Sequence, residues 1–442
     1  MAVNLGGLRD IFKIPELSRR IFITLGLLAI YRVGVHIPTP GINTEALARF
    51  FSEVESTLFG MVDLFAGGAL SNASVFALGI MPYISASIIL QLLIPVVPYL
   101  EKLSKEEGEE GRRKIVQYTR YGTVLISLIQ SMGIAIWLEN PNSFNGVVMV
   151  SSPGWHFRLM TVITLTAGTA FLMWLGEQIS ERGIGNGVSL IIFAGIIARS
   201  PQDLIRTINL VFMRQMNIFV LLFFIAFMVA VVAGVVLITQ AQRRIPVQYA
   251  KRVVGRRIYG GQSTYIPLRV NQAGVIPIIF ASAILVFPST VSMFFGGTDS
   301  WFYRIASYLD YNREPFGMFI YAILIIFFTY FYTAITFNPS EIAENIKKYG
   351  GFVPGIKPGR TTAEYFDRIM TRIALPGGLF LAVVALLPIV LIRRLNVPFS
   401  FGGPALLIVV GVALDTMGQL ESHLLMRQYR GFIQKGRIRG RY

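Results

Sequence analysis

The sequence contains ten stretches that are long and apolar enough to cross a membrane. A helix needs about 20 mainly apolar residues to span the ~30 Å hydrocarbon core of a bilayer. The stretches lie at roughly 21–37, 75–97, 117–138, 158–176, 184–199, 216–238, 271–295, 316–335, 375–392 and 401–420. They lack the alternation of apolar and polar residues that marks the strands of a membrane β-barrel. The pattern therefore predicts an all-α integral membrane protein with ten transmembrane helices.

The composition argues against a soluble protein of the same length. Only 14% of the 442 residues are charged and 54% are apolar, whereas about 25% charged residues is usual for soluble domains. So few charges would not cover the surfaces of the two or three domains into which a soluble chain of this length should divide. The chain contains no cysteine, which removes thiol catalysis and cysteine-ligated metals. No small-residue cleavage site follows the first apolar stretch, so a removed signal peptide is not expected.

The positive charges predict the orientation of the chain. An even number of spans places both termini on one side of the membrane. The segments on that side carry 29 of the 40 Lys and Arg residues, and the segments on the other side carry 9. Because Lys and Arg concentrate on the cytoplasmic side of membrane proteins, both termini are predicted to be cytoplasmic.

Two internal repeats divide the ten spans into halves of five. Residues 79–90 of the second span and 274–285 of the seventh are identical at seven of twelve positions, including an aligned glycine and proline. A fainter repeat relates residues 187–195 of the fifth span to 403–411 of the tenth. The second and seventh spans also carry polar residues, which are costly against lipid. We therefore expect a central path beside these two spans; the alternative is that small and polar residues only pack helices together.

The membrane interior is nearly free of ionisable groups. Asp415 and Arg32 are the main exceptions, and the three histidines lie at span ends or in a loop. This inventory predicts no proton relay, metal site, cofactor or catalytic group. No Walker motif occurs in the sequence, so energy for transport must come from another protein. Ile80 and Ile84 stack on one helix face. An apolar collar of this kind can close a pore by dewetting, although membrane isoleucines more often simply pack.

Several long motifs resemble the SecY/Sec61-alpha family of protein-conducting channels. They occupy residues 65–71, 76–89, 111–122, 181–187, 262–264, 274–282 and 352–356. The resemblance runs from the first span to the last. It implies two pseudo-symmetric halves around a central hourglass pore, in a subunit that is not an enzyme. That subunit would pass secretory polypeptides across the cytoplasmic membrane of a bacterium and release membrane-protein helices sideways into it.

The resemblance also implies roles for individual residues. A pore ring is implied at Ile80, Ile84, Val188, Ile192, Ile279 and Ile408. A plug is implied at about 61–72, with Met61, Leu64, Phe65, Gly67, Gly68 and Leu70. We expect the plug to be a twelve-residue helix about 18 Å long, weakened by its two glycines. A polar cluster at a lateral gate between the second and seventh helices is implied at Ser85, Gln130 and Asn271.

Docking residues for cytoplasmic partners are implied in two basic loops. They are Arg243, Arg244, Lys251, Arg252, Arg256, Arg257 and Lys357. Such charges suit the phosphates of ribosomal RNA, although a basic loop could also serve only to enforce orientation. Lys357 stands where the family usually has Arg, which keeps the charge but loses the planar fork of donors.

The implied organisation has four parts. They are a cytoplasmic segment at 1–20, a first half at 21–199, a second half at 200–420 with cytoplasmic loops at about 239–270 and 336–374, and a basic tail at 421–442. The implied partners are the membrane subunits SecE and SecG, the SecA ATPase, the ribosome, translocating polypeptides with their signal sequences, and the lipid bilayer. Three alternatives stay open: a secondary transporter for a small solute, an intramembrane enzyme, and an insertase-like helper without a sealed pore. Phe224 is expected to face lipid.

Overall fold

The computed structural model describes most of the chain. The described residues are 14–53, 63–105, 108–144, 146–213, 217–249, 252–254, 257–259, 263–294, 301–311, 314–395 and 403–435. Within them the chain forms α1 Pro15–Gly34, α2 Thr44–Glu53, α3 Met81–Leu93, α4 Pro98–Lys105, α5 Gly108–Glu139, α6 Trp155–Arg182, α7 Gly187–Phe212, α8 Ile218–Gln240, α9 Ile276–Phe294, α10 Trp301–Tyr308, α11 Pro315–Thr336, α12 Pro339–Lys348, α13 Arg360–Leu395 and α14 Gly403–Lys435. A short 3₁₀ helix, Pro141–Phe144, follows α5.

Ten of these helices coincide with the ten predicted spans: α1, α3, α5, α6, α7, α8, α9, α11, α13 and α14. Seven of the described helices are long and apolar enough to cross a membrane by themselves, and α3 with α4 makes an eighth. The axes of α3 and α4 are bent by 101° at their junction. Helix α9 contains a shorter apolar segment, Ile276–Pro288. Helix α1 begins with charged residues, which lower its hydropathy.

The boundaries of three predicted segments differ from the structure. The second span was expected from residue 75, but α3 begins at Met81 and residues 75–80 form turns. The expected loop at 336–374 contains α12 and the first turns of α13. Helix α14 continues to Lys435, inside the expected basic tail. Hydropathy marks only the part of a helix that lies in lipid, so it does not detect polar extensions into water.

The first internal repeat is confirmed in the backbone conformation of the two spans. Gly79 has a φ of +57° and Gly274 a φ of +62°, in the left-handed region that favours glycine. Pro82 and Pro277 are then the second residues of α3 and α9. Proline is tolerated in a first helical turn, where its missing N–H would have no intrahelical partner. The aligned glycine and proline therefore start equivalent helices in the two halves.

Two small sheets add to the predicted all-α architecture. The strands are β1 Gln242–Tyr249, β2 Arg252–Val254, β3 Arg257–Tyr259, β4 Ser263–Arg269 and β5 Gly351–Phe352. Strand β1 lies between β4 and β5 in an antiparallel sheet, and β2 pairs with β3. Since β5 comes from the loop after α12, the two loops predicted to be cytoplasmic form one unit. Ile245, Val247 and Phe366 lie in its apolar core.

Candidate functional site

The six residues implied for the pore ring lie in one apolar cluster. They come from four elements: Ile80 and Ile84 at the start of α3, Val188 and Ile192 on α7, Ile279 on α9, and Ile408 on α14. Five of them are buried and Val188 packs against the same cluster. The first two lie on successive turns, because the Ile84 amide donates to the Ile80 carbonyl at 3.1 Å. The fold therefore gathers apolar side chains from both halves at its centre.

The segment implied for the plug has a different conformation from the expected helix. Met61 lies outside the described residues, and only residues 63–65 are helical before a series of turns. Gly67 and Gly68 have φ angles of +69° and +85°. A right-handed helix excludes such angles, so the two glycines turn the chain instead of merely weakening a helix. We refer to residues 63–72 as the plug segment.

The plug segment packs directly against elements that carry the ring residues. A Cβ placed on Gly79, next to Ile80, would lie 3.0 Å from the Ala66 Cα. A Cβ placed on Gly67 would lie 2.8 Å from the Gly195 Cα on α7. Leu64 and Phe65 belong to the same apolar cluster as the ring residues. Leu70 instead joins a neighbouring cluster with aromatic side chains. These close backbone contacts seat the plug segment beside the ring.

Polar contacts that the sequence does not suggest also hold the plug segment. The carboxylate of Asp63 is 1% exposed and pairs with the guanidinium of Arg199 on α7. Tyr31 on α1 donates from its hydroxyl to the Ala66 carbonyl at 3.1 Å. Its neighbour Arg32 donates to the Gly67 carbonyl at 3.0 Å. Residues 32 and 63–72 are far apart in sequence, and only the fold brings them together.

Two of the three residues implied for the lateral gate share a crevice. Ser85 of α3 and Gln130 of α5 line it together with Leu70 of the plug segment and α9 side chains that include Phe287. We call this space the gate crevice. Asn271 lies elsewhere: it is buried five residues before α9 begins, and its Oδ1 has no hydrogen-bond partner in the described structure. The α9 side chains of the crevice, Ala283 to Phe287, lie 7 to 11 residues beyond the start of α9 at Ile276, which is about 10–17 Å along the helix.

Helix α9 is held differently on its two sides. Its Ser282 hydroxyl lies 3.0 Å from the hydroxyl of Tyr321 on α11. Tyr321 stacks on Tyr311 with ring centroids 4.3 Å apart. Burial raises the pKa of the Tyr311 phenol well above its ordinary value, so this group stays protonated. On the side of the gate crevice, α9 instead presents Ala283, Val286 and Phe287. The Ser282 hydroxyl therefore ties α9 to α11, on the side away from the gate crevice.

Comparison with known proteins decides the family. The sequence profile of the SecY family matches residues 74–417. The protein translocase subunit SecY of Escherichia coli K12 is 49% identical over 427 residues, which cover 96% of each chain. The corresponding subunit of Aquifex aeolicus is 47% identical over 428 residues, covering 97% of this chain and 99% of the relative. The chain belongs to the SecY family.

Solved structures of SecY and Sec61 channels have the same fold. A solved protein-conducting channel gives a TM-score of 0.65 at 17% identity and covers 96% of this chain and 95% of its own. Canine Sec61 in a ribosome–channel complex gives a TM-score of 0.62 at 16% identity, with the same coverage. The predicted fold, ten transmembrane helices in two pseudo-symmetric halves around a central pore, is confirmed.

Membership of the SecY family settles the class of function. The chain is a channel subunit of a protein translocase and a multi-pass protein of the bacterial membrane, and this family is not enzymatic. The alternatives of a small-solute transporter and an intramembrane enzyme are thereby excluded.

The basic residues implied for docking in this SecY-family chain lie on the two small sheets and the loop that follows β5. Arg243 and Arg244 are exposed on β1, and Lys357 is exposed after β5. Arg252 and Arg257 lie on the paired strands β2 and β3. Lys251 and Arg256 fall outside the described residues.

One lipid-facing assignment is wrong. Phe224 on α8 is 3% exposed, whereas seven other large apolar side chains of the same helix are exposed. Helix α8 is apolar all round, so periodicity could not show which side contacts α13 and α14.

Proposed function

We propose that secretory polypeptides cross through the ring residues, and that apolar segments leave sideways between α3 and α9. The observation that carries this proposal is the single apolar cluster in which residues of both halves meet the plug segment. A polypeptide entering along the axis of the two halves must pass this cluster. The plug segment then has to leave its seat beside Gly79 and Gly195.

An apolar ring suits a substrate of any sequence. It offers no charge that would trap a passing side chain, and aliphatic side chains adjust to different shapes. An ion that entered the ring would lose its hydration without replacement, so the ring also resists leakage. The plug segment adds a second barrier. In a solved SecY channel the plug domain stabilises the closed state and maintains a membrane seal, and we propose the same role here.

Lateral release is supported by the chemistry of the gate crevice. Its walls are mainly apolar, with Ser85 and Gln130 as the polar exceptions. An apolar signal sequence could replace these contacts at little cost, because hydrogen bonds within membranes contribute only about 0.6 kcal/mol on average. The face of α9 that contacts α11 would stay joined during this opening. Asn271 precedes α9 and would act at the cytoplasmic end of the helix.

We propose that both termini are cytoplasmic and that the two small sheets receive the cytoplasmic partners. The excess of Lys and Arg on that side supports the orientation. Canine Sec61 is solved in a ribosome–channel complex, which supports docking of the ribosome. The SecA ATPase would use the same face, and SecE and SecG would surround the helices within the bilayer. Exposed Arg243, Arg244 and Lys357 would contact phosphates or acidic side chains.

Photo-crosslinking tests the central path. A crosslinker placed at Ile84 or Ile279 should capture a secretory chain stalled in transit. The control is Val229 on α8, which is 64% exposed on an apolar surface and should give no adduct. If the stalled secretory chain is engaged but neither ring position gives an adduct, the central path is disproved and the insertase-like helper is favoured.

A further inference from the structure

Asp63 occupies an unusual position for a charged residue. It belongs to the plug segment, yet its side chain is 1% exposed. One carboxylate oxygen accepts from the backbone N–H of Leu70 at 3.0 Å and of Ser71 at 2.9 Å. The other oxygen pairs with the guanidinium of Arg199, which is itself 19% exposed. The same carboxylate therefore shapes the turn of the plug segment and ties it to α7.

Among the described residues, the side chains that form hydrogen bonds or ion pairs with the plug segment from other helices lie on two helices of the first half. Arg199 is on α7, four residues after Gly195, against which Gly67 packs. Tyr31 and Arg32 are on α1 and bind the carbonyl oxygens of Ala66 and Gly67. None of these contacts is needed to form the ring, whose residues meet through apolar packing.

We propose that Asp63 and Arg199 form a latch that holds the plug segment in its seat and sets how often the channel unplugs. This inference rests on the proposed sealing role of the plug segment. Both are positioning residues, because neither lies among the ring residues that the polypeptide would touch. Unseating the plug must separate the carboxylate from the guanidinium. Hydrogen bonds to charged groups contribute enough to change an equilibrium roughly tenfold to a hundredfold.

The two sides of the latch can be weakened selectively. Asp63→Asn keeps an oxygen that can accept from the amides of Leu70 and Ser71 but removes the charge that pairs with Arg199. Arg199→Gln removes the guanidinium and leaves the turn of the plug segment intact. Arg199→Lys keeps the positive charge without the fork of donors, so its effect should be smaller.

The chain offers a matched control on the same side of the membrane. Glu139 has a side chain that is 7% exposed, accepts from the Gly154 amide at 2.7 Å and pairs with Arg158 at 2.6 Å. This pair resembles the latch in burial and in its use of a backbone amide, but it does not contact the plug segment. Glu139→Gln and Arg158→Gln therefore report what the loss of such a pair does to the fold alone.

The test measures ion leak through the purified channel complex in proteoliposomes without a translocating chain. Asp63→Asn and Arg199→Gln should each raise the leak about tenfold or more, and the double variant should leak no more than the stronger single variant. The ion leak of Arg199→Lys should lie between those of the wild type and Arg199→Gln. This variant keeps the test decisive if the other variants assemble poorly. The two control variants should leak like the wild type.

Deleting residues 63–72 separates failure of the latch from failure of the seal. The deletion variant could leak ions while the Asp63→Asn and Arg199→Gln channels leak no more than the wild type. That result would overturn the latch and leave the sealing role of the plug segment standing. A deletion that stays tight would overturn both. Equal leaks from the latch and control variants would also overturn the proposal, since they would show general loosening of the fold.

Discussion

Two neighbouring glycines of the plug segment have similar backbones but different surroundings. Both have positive φ, so replacement of either by alanine costs about 1–2 kcal/mol of backbone strain. A Cβ on Gly67 would also collide with the Cα of Gly195, whereas a Cβ on Gly68 would meet the Arg199 side chain only at 3.5 Å. We expect Gly67→Ala to raise resting ion leak clearly more than Gly68→Ala. Equal leaks would contradict the close seating of the plug segment.

Ile84 allows the ring to be tested at a single side chain. Ile84→Asn would place a hydrogen-bonding group in the constriction and lower the cost of hydrating it, so resting conductance should rise roughly tenfold. Ile89 lies on the same helix but is 49% exposed, and Ile89→Asn should leave conductance near the wild-type value. Single-channel recording in planar bilayers checks both variants. An unchanged Ile84→Asn channel would remove this residue from the barrier.

The resemblance to the SecY family implied the ring, whereas no sequence feature pointed to the latch. Isoleucines recur at matching places in the two halves, but this pattern alone does not distinguish a ring from ordinary packing. Asp63 and Arg199 are separated by 136 positions. Asp63 lies between two predicted spans, and Arg199 resembles an ordinary charge at a span end. Their pairing depends on the non-helical turns around Gly67 and Gly68, which periodicity does not predict.

At the level of elements, the gate crevice should control whether α9 separates from α3. The chain has no native cysteine, so an introduced pair reacts alone. We expect a short thiol crosslinker between Ser85→Cys and Phe287→Cys to block insertion of signal sequences. Each single-cysteine variant treated in the same way should remain active, and cleavage of the linker should restore transport. Undiminished transport in the crosslinked channel would contradict lateral opening here.

Elements within lipid could be predicted from hydropathy, but those in water could not. The ten spans were located because burial in a bilayer demands long apolar runs. The start of α3 at Met81 could not be predicted, because the turns of residues 75–80 are as apolar as a transmembrane helix. The sheet of β4, β1 and β5 joins two loops that are distant in sequence, and local patterns carry no information on such pairing. Asn271 does not line the gate crevice, and a sequence motif gives the order of such residues along the chain but not their depth in the membrane.

In the whole molecule, the described parts of the two halves meet mainly through apolar packing. Helices α3 and α5 contact α9, and α7 contacts α14. Beside the contact of α7 with α14, the Gly185 amide donates to the side-chain oxygen of Gln419 at 3.0 Å. We therefore expect halves produced as separate chains, 1–213 and 217–442, to co-purify from membranes when co-expressed. A half made alone should be degraded, and halves that separate in mild detergent would show that the connecting loop is required.

Polar contacts fasten the plug segment to α1 and α7 of one half, whereas the gate crevice, which Leu70 also lines, would open where α9 of the other half leaves α3 and α5. Movement at the crevice does not by itself break the bonds to Tyr31, Arg32 and Arg199. An apolar helix that slips sideways into lipid can thus depart with the outer stopper still in place. Integration of membrane proteins would then leave the cell's proton gradient intact, and only export across the bilayer would expose that gradient to loss.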